Sequence, residues 1–152
     1  MDYAQNSFIS STAWTERIGP VAAIATIEKM QRANVPAKLV STGLQIIEGL
    51  QRISTEYALP LSITGIPPLI YFRFNIPEAA EAQTYYAQEM LRRGFLVGGA
   101  IYTTYAYSDQ VIELFLEASD AALSDLAAHL SSKTLRSNLL GETIHAGFRR
   151  LT

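Results

Sequence analysis

The spacing of apolar residues predicts two consecutive helices in the first part of the chain. Gly19-Pro20 suits the opening turn of a helix, because proline is already set for the first helical position. The apolar positions that follow are Val21, Ile24, Ile27 and Met30. In the second stretch, about 37–57, they are Leu39, Gly43, Ile46, Ile47, Leu50, Ile53 and Tyr57. These steps of three and four are typical of helices with one buried side, and Val35-Pro36 is expected to end the first.

The period of the pattern changes to two after residue 60. Residues 61–64 alternate apolar and hydroxyl side chains, which is typical of a half-buried strand. Residues 65–68 end in two prolines, which cannot continue a ladder and therefore indicate a turn. Residues 69–74 form a second predicted strand, with Phe72 and Phe74 on one face.

Three further elements follow from local signals. Pro77 is expected to open a helix that ends before Gly94, because glycine suits the left-handed cap. Residues 95–97 predict a short strand. Ser108 predicts the cap of a long helix, with Asp109 in its first turn. The expected buried stripe of that helix is Ile112, Phe115, Ser119, Ala122, Leu126 and Leu130.

This order of elements favours an α+β fold with a small, mostly antiparallel sheet backed by helices. A doubly wound parallel sheet would need strands and helices in regular alternation. Residues 1–19 are interpreted as a Ser/Thr-rich lead-in and residues 20–152 as the domain. With helices on one side only, the other face of the sheet would lack cover, so a partner is expected there.

Composition excludes several classes of function. The charged fraction of 17% lies below the roughly 25% of ordinary domains. This deficit indicates that part of the surface is covered by a partner. The net charge of −2 and the lack of a basic run argue against nucleic acid. The absence of cysteine removes disulfides, thiol catalysis and cysteine-based metal sites.

The sequence also predicts a protein without membrane contact. Its first residues lack the basic and apolar regions of a signal peptide. No apolar run approaches the roughly 18 residues of a membrane span. A cytoplasmic location is therefore expected.

The residue types that most often do chemistry are scattered. His129 and His145 belong to different elements and lack a carboxylate at ligand spacing, so a capping or surface role is favoured over a metal site. The carboxylates of the long helix, Glu113, Glu117 and Asp120, are interpreted as solvated surface. Gly98-Gly99 indicates either a close approach to a ligand or a tight turn.

The hydroxyl-rich segment before the first helix is a stronger candidate for a binding site than these scattered residues. Residues 10–15 read SSTAWT, and a helix N-terminus with nearby hydroxyls can bind an anion such as phosphate. The alternative is ordinary helix capping. On the residues alone, capping is the favoured interpretation.

The same segment belongs to a longer resemblance. The chain resembles the C-terminal part of pyridoxal-phosphate-dependent aminotransferases of class III, in particular proteins similar to glutamate-1-semialdehyde 2,1-aminomutase. The stretches that carry it are FISSTAWTERIGPVAAIATIEKM, VPAKL, LPLSITGIPPLIYFRF, MLRRGFLVGGAIYTTYAYSD and HAGFRRL, in this order. They run through nearly the whole chain. Two departures are Tyr107, where relatives often carry histidine, and Ala13, where an aromatic residue is common.

The resemblance implies a fold, an assembly and a cofactor. The fold would be the C-terminal small domain of a fold type I enzyme, after the end of the large domain. The assembly would be a homodimer with active sites at the subunit interface. A hydroxyl of Ser11, Thr12 or Thr15 would then bind the cofactor phosphate of the neighbouring subunit. Arg73 would face a substrate carboxylate in a full-length relative, although a solvated strand position is the favoured interpretation.

The resemblance also indicates what the chain lacks. The family's chemistry needs a Schiff-base lysine on a glycine-rich loop that precedes the Ser/Thr segment. Lys29, Lys38 and Lys133 stand in other contexts and are expected to be exposed. No catalytic residue is therefore assigned, and the chain alone is expected to bind no pyridoxal phosphate and to be inactive. The alternative hypothesis is a stand-alone, non-catalytic oligomerisation or protein-binding module, and either hypothesis predicts a homo-oligomer.

Overall fold

The computed structural model describes residues 16–145, and the chain divides into two compact units, Met1–Val35 and Pro36–Thr152. The first unit contributes helix α1, Ile18–Arg32. The second contains nearly all the remaining elements. The boundary placed after residue 19 on sequence grounds stays a prediction.

Helix α1 carries no charged residue on any side over positions 18–27, and its charged residues all lie at positions 28–32. Its large side chains lie three residues apart, so each is rotated by about 60° from the last at 3.6 residues per turn. None of its residues is buried. The exposed fractions are 78% for Ile18, 62% for Val21, 59% for Ile24, 55% for Ile27 and 39% for Met30. Neither α1 nor any other helix among the described residues has the length and apolarity to cross a bilayer.

The junction after α1 differs from the expectation. The helix ends at Arg32, three residues before Val35-Pro36. Asn34 adopts a left-handed φ of 46°, which a helix cannot continue through. The proline is then tolerated in the first turn of the next helix, where its missing N–H has no intrahelical partner to lose.

The remaining elements form an α+β fold, which confirms the predicted class. They are α2 (Val35–Glu56), β1 (Leu61–Ile66), β2 (Leu69–Phe74), α3 (Ala79–Arg92), β3 (Ala100–Tyr102), α4 (Asp109–Ser131) and a 3₁₀ turn (Arg136–Asn138). The strands form one antiparallel sheet in the order β1-β2-β3. The sheet, helices α2, α3 and α4 and Leu135, just before the 3₁₀ turn, contribute side chains to one hydrophobic core.

The register of the sheet decides which side chains enter the core. Ile63 pairs with Phe72, and Ile70 lies between Gly65 and Ile101. The opposite face leaves Ile66, Tyr71 and Tyr102 exposed. Strand β1 continues to Ile66, two residues beyond the predicted alternation, because the ladder persists until the prolines remove the donors.

The third strand lies later in the chain than the sequence predicts. Residues 95–97 form no strand, and Ala100–Tyr102 pairs with β2 instead. The chain leaves α3 through Gly94 at a φ of 87°. Phe95 then packs edge-on against Phe115, with ring centroids 5.6 Å apart, whereas Leu96 is 92% exposed. This segment therefore connects α3 to the sheet and does not belong to it.

The long helix α4 confirms its predicted cap and most of its stripe. The Val111 backbone N–H donates to Ser108 Oγ over 3.3 Å. All the predicted stripe residues are buried except Leu130, which is half-buried. Ser119 Oγ lies 2.9 Å from Tyr86 Oη. Burial raises the pKa of the Tyr86 hydroxyl to about 12, against the opposing effect of its hydrogen bond with Ser119.

Candidate functional site

The residues predicted to bind the cofactor phosphate lie outside the described part of the chain. These are Ser11, Thr12 and Thr15, so their role stays a prediction. Where the description begins, helix α1 has Arg17 at its N-cap, without a capping bond from the side chain.

None of the three lysines lies in a buried position. Lys29 and Lys133 are exposed, as expected. Lys38 is half-buried, which corrects the expectation of full exposure. Its Nζ lies 3.2 Å from Oδ1 of Asp109, so the ammonium forms an ion pair that joins the first turns of α2 and α4. The contact explains its position without a catalytic role.

The contacts of His129 indicate a structural role. His129 Nδ1 lies 2.9 Å from Thr134 Oγ1, and the ring packs edge-on against Tyr85 at 5.2 Å. These contacts hold the end of α4 against α3 and the following turn, while His145 is exposed. Within residues 16–145, no cluster of three His, Asp or Glu residues could hold a metal ion.

Two other candidates lie at the surface. Arg73 is exposed, opposite Ser62 in the register of β1 and β2. A Cβ added to Gly98 or Gly99 would meet nothing within 4 Å. No close contact among residues 16–145 requires a glycine at either position.

A buried carboxylate on α3 was not singled out by the sequence analysis. Glu89 is only 5% exposed. Its Oε1 accepts from Arg92 at 3.0 Å and from Gln88 at 3.2 Å, and its Oε2 accepts from Arg93 at 2.7 Å. Arg93 also donates to Asp125 Oδ2 on α4 at 3.2 Å. The spacing of Glu89, Arg92 and Arg93 indicates such pairs in a helix, but not that the carboxylate is buried.

The hydrogen bonds to Glu89 determine its protonation. Burial alone would raise the pKa of this carboxyl group. The donated hydrogen bonds from Arg93 and Gln88 and the positive charges of both arginines outweigh burial and lower the pKa below its ordinary value. The arrangement stabilises a charged carboxylate and links α3 to α4, so we assign it a structural role.

An apolar cavity of about 310 Å³ lies in the second unit, and the sequence analysis did not anticipate it. It is formed by the segment after α3, strand β3, the loop that follows and the first turns of α4, with one side chain from α2. The lining residues are Ile46, Phe95, Leu96, Val97, Ala100, Ile101, Tyr102, Thr104, Tyr107, Val111, Ile112 and Phe115. The aromatic stretch 102–107 was its only local signal.

Two curated proteins are similar to the chain in sequence. The first is the 3-aminobutyryl-CoA aminotransferase of Cloacimonas acidaminovorans (strain Evry), 26% identical over 128 residues, which are 81% of this chain and 31% of that protein. The second is the 2'-deamino-2'-hydroxyneamine transaminase of Streptomyces kanamyceticus, 27% identical over 121 residues, 76% of this chain and 30% of that protein. No protein-family model matches the chain.

Solved transaminase structures share the fold. The FumI protein of Sphingopyxis sp. MTA144, solved in its PLP internal aldimine form, superimposes with a TM-score of 0.75 at 22% identity. The match covers 86% of this chain and 32% of that one. An omega-transaminase from Sphaerobacter thermophilus gives a TM-score of 0.56 at 19% identity, over 62% of this chain and 26% of the other.

The matches cover most of this chain but only a minor part of each relative. The chain spans about a third of the length of the curated relatives and of the FumI protein. Similarity in sequence to two aminotransferases and in fold to two transaminases confirms the resemblance drawn from the sequence. The chain is therefore similar, in sequence and in fold, to part of known aminotransferases, one of which was solved with its pyridoxal-phosphate cofactor.

Proposed function

We propose that the chain is the C-terminal portion of a pyridoxal-phosphate-dependent aminotransferase or aminomutase, and that it is inactive alone. The observation that carries this proposal is the difference between the share of this chain and the share of each relative that the matches cover. The curated matches cover 81% and 76% of this chain but only 31% and 30% of the relatives. In the whole protein the reaction would be amino-group transfer, for which the cofactor supplies a reactive carbonyl.

The described residues do not fit a complete cofactor site. A Schiff base requires a lysine that is tuned to lose its proton near neutral pH, usually by burial. Lys29 and Lys133 are exposed, and Lys38 forms an ion pair with Asp109. We therefore propose that this chain contributes at most a phosphate contact, through Ser11, Thr12 or Thr15, to a site completed by other residues.

Reduction with borohydride tests whether the chain forms its own Schiff base. The purified chain, mixed with pyridoxal phosphate and reduced, is expected to show no stoichiometric adduct by intact mass. Weak labelling should be spread over the three lysines, because none lies in a buried pocket. Replacing any one of the lysines with arginine should remove only the label at that position. The variants are Lys29→Arg, Lys38→Arg and Lys133→Arg. Complete labelling of one lysine at low cofactor concentration would show a site rebuilt within the fragment.

The second candidate function is a stand-alone oligomerisation or protein-binding module. The observation that favours it is helix α1. A helical stretch without charge on any side, such as residues 18–27, is normally buried in protein, yet Ile24 and Ile27 are more than half exposed. The upstream coding sequence distinguishes the two functions: a lysine-bearing, glycine-rich loop encoded there supports the aminotransferase portion, and start signals there support the module.

Both functions lead us to propose a homo-oligomer, which light scattering can test. The chain is expected to form dimers or larger species, because exposed apolar patches mark interaction surfaces. Ile24→Lys should shift the equilibrium at least tenfold toward monomer, whereas Gln31→Lys on the same helix should leave it unchanged. A clean monomer at every concentration would contradict the proposal. The cytoplasmic location also stays a prediction.

A further inference from the structure

We propose that the apolar cavity between β3 and α4 binds a small, uncharged aromatic molecule. The site lies wholly in the second unit and does not depend on the proposed aminotransferase function. Its volume of about 310 Å³ falls at the lower end of the range of ligand pockets, roughly 300–1,000 Å³. An apolar cavity of about half that volume, about 150 Å³, binds benzene in another protein. The space therefore suits a bicyclic ring.

The floor of the cavity is already formed by buried side chains. Ile46 from α2 is 2% exposed, and Ile112 and Phe115 from α4 are 3% and 8% exposed. The Phe115 ring is held by the edge-on contact with Phe95. Because packing from two helices and β3 fixes these groups, a ligand would order little of the protein on binding. Such preorganisation favours affinity.

The lining residues select against charge. None of the twelve, all in the described part of the chain, carries a formal charge. A charged ligand would lose its hydration without gaining a partner, which disfavours binding strongly. Tyr102, Thr104 and Tyr107 carry hydroxyl groups, so one neutral polar group on the ligand can be accommodated at the wall. A ring with a single N–H or O–H, such as indole or a phenol, matches this chemistry.

The rim shows how a ligand enters. Leu96 is 92% exposed, Tyr102 63% and Val111 37%, and all three line the cavity. Apolar side chains at such exposure gain from any apolar surface that covers them, because apolar area is removed from water. A bound ring would be covered in turn by these side chains, with Leu96 on the connecting segment free of strand pairing.

Methyl-detected NMR with indole as the probe tests the proposal. Indole is expected to bind saturably, one per chain, with a Kd of about 1 mM or tighter. Methyl signals of Ile46, Val97, Ile101, Val111 and Ile112 should shift, and those of Ile53 and Leu126, which are buried in the core but do not line the cavity, should not. Naphthalene should compete, whereas benzoate, which is charged, should bind at least tenfold more weakly.

Two filling variants make the test site-specific. Ala100→Phe places a ring in the cavity from β3, and Val97→Phe does so from the connecting segment, where no strand pairing is at risk. Either should weaken indole binding at least tenfold. Leu91→Phe, at an exposed position on α3 outside the cavity, should not change it. Unchanged affinity in a folded filling variant would overturn the proposal, as would the lack of saturable binding. Methyl shifts that follow protein concentration instead of indole would assign the cavity to a second copy.

Discussion

Replacing Gly43 with alanine is expected to destabilise the second unit by about 2 kcal/mol. Gly43 lies inside helix α2, where alanine would normally stabilise by about 1 kcal/mol through helix propensity. Here an added Cβ would fall 1.8 Å from the carbonyl oxygen of Pro67 and 2.3 Å from its carbon. Overpacking typically costs about 1–3 kcal/mol and sometimes more. The obstacle is backbone in the β1–β2 turn, so the steric term should outweigh propensity.

The matched control is Gly49→Ala in the same helix. An added Cβ there would fall 2.5 Å from Cδ2 of Leu116, the end of a flexible side chain that can rotate away. We expect this variant to lie within about 1 kcal/mol of the unaltered chain, since propensity and a small rearrangement oppose each other. Urea unfolding followed by circular dichroism gives both values. A Gly43→Ala variant at least as stable as the unaltered chain would contradict the close approach of α2 to Pro67.

Removing the charge of Glu89 should cost about 1.5–3 kcal/mol at neutral pH, the range for hydrogen bonds to charged groups. Glu89→Gln keeps the shape of the side chain but loses the acceptor charge for Arg92 and Arg93. Most of the loss should come from the Arg93 contact at 2.7 Å. The Arg92 side chain is 58% exposed, so its pair is screened by water and contributes little.

The contribution of Glu89 to the free energy of unfolding should depend on pH. The pKa of Glu89 is lower in the folded chain than in an unfolded one. Its contribution is therefore complete above the unfolded value, about 4.3, and is lost as pH falls through the lower, folded value. The gap in unfolding free energy between the unaltered chain and Glu89→Gln should be widest near pH 7 and should shrink below about pH 4. The control is Glu113→Gln, at an exposed position of α4. A gap that is independent of pH would contradict the assigned charge.

The elements that were predicted correctly from the sequence are those that depend on residues close to one another along the chain. Ser108 caps α4 because its hydroxyl reaches an amide three residues away. Gly94 ends α3 because only glycine adopts its left-handed φ without strain. The alternation before Pro67-Pro68 and the period of α2 likewise depend on spacing alone.

The prediction of a strand at residues 95–97 was wrong because strand formation depends on a distant partner. An apolar tripeptide satisfies the local pattern of a strand equally well when its side chains pack against a helix. The residues of β2 that accept a third strand pair with Ala100–Tyr102. Phe95 instead meets Phe115, twenty positions away in the sequence. No local signal distinguishes the two outcomes.

The sequence by itself determined the fold class, the order of most elements and the resemblance to aminotransferases, because these depend on residue type and spacing. Only the tertiary structure decided the rest. The burial of Glu89, the close approach of Gly43 to Pro67 and the cavity beside Phe115 each need side chains from separate elements to meet in space. The exposure of α1 also had to come from the structure. The sequence places no charged residue at positions 18–27, and only the folded chain shows that none of the residues of this helix is buried.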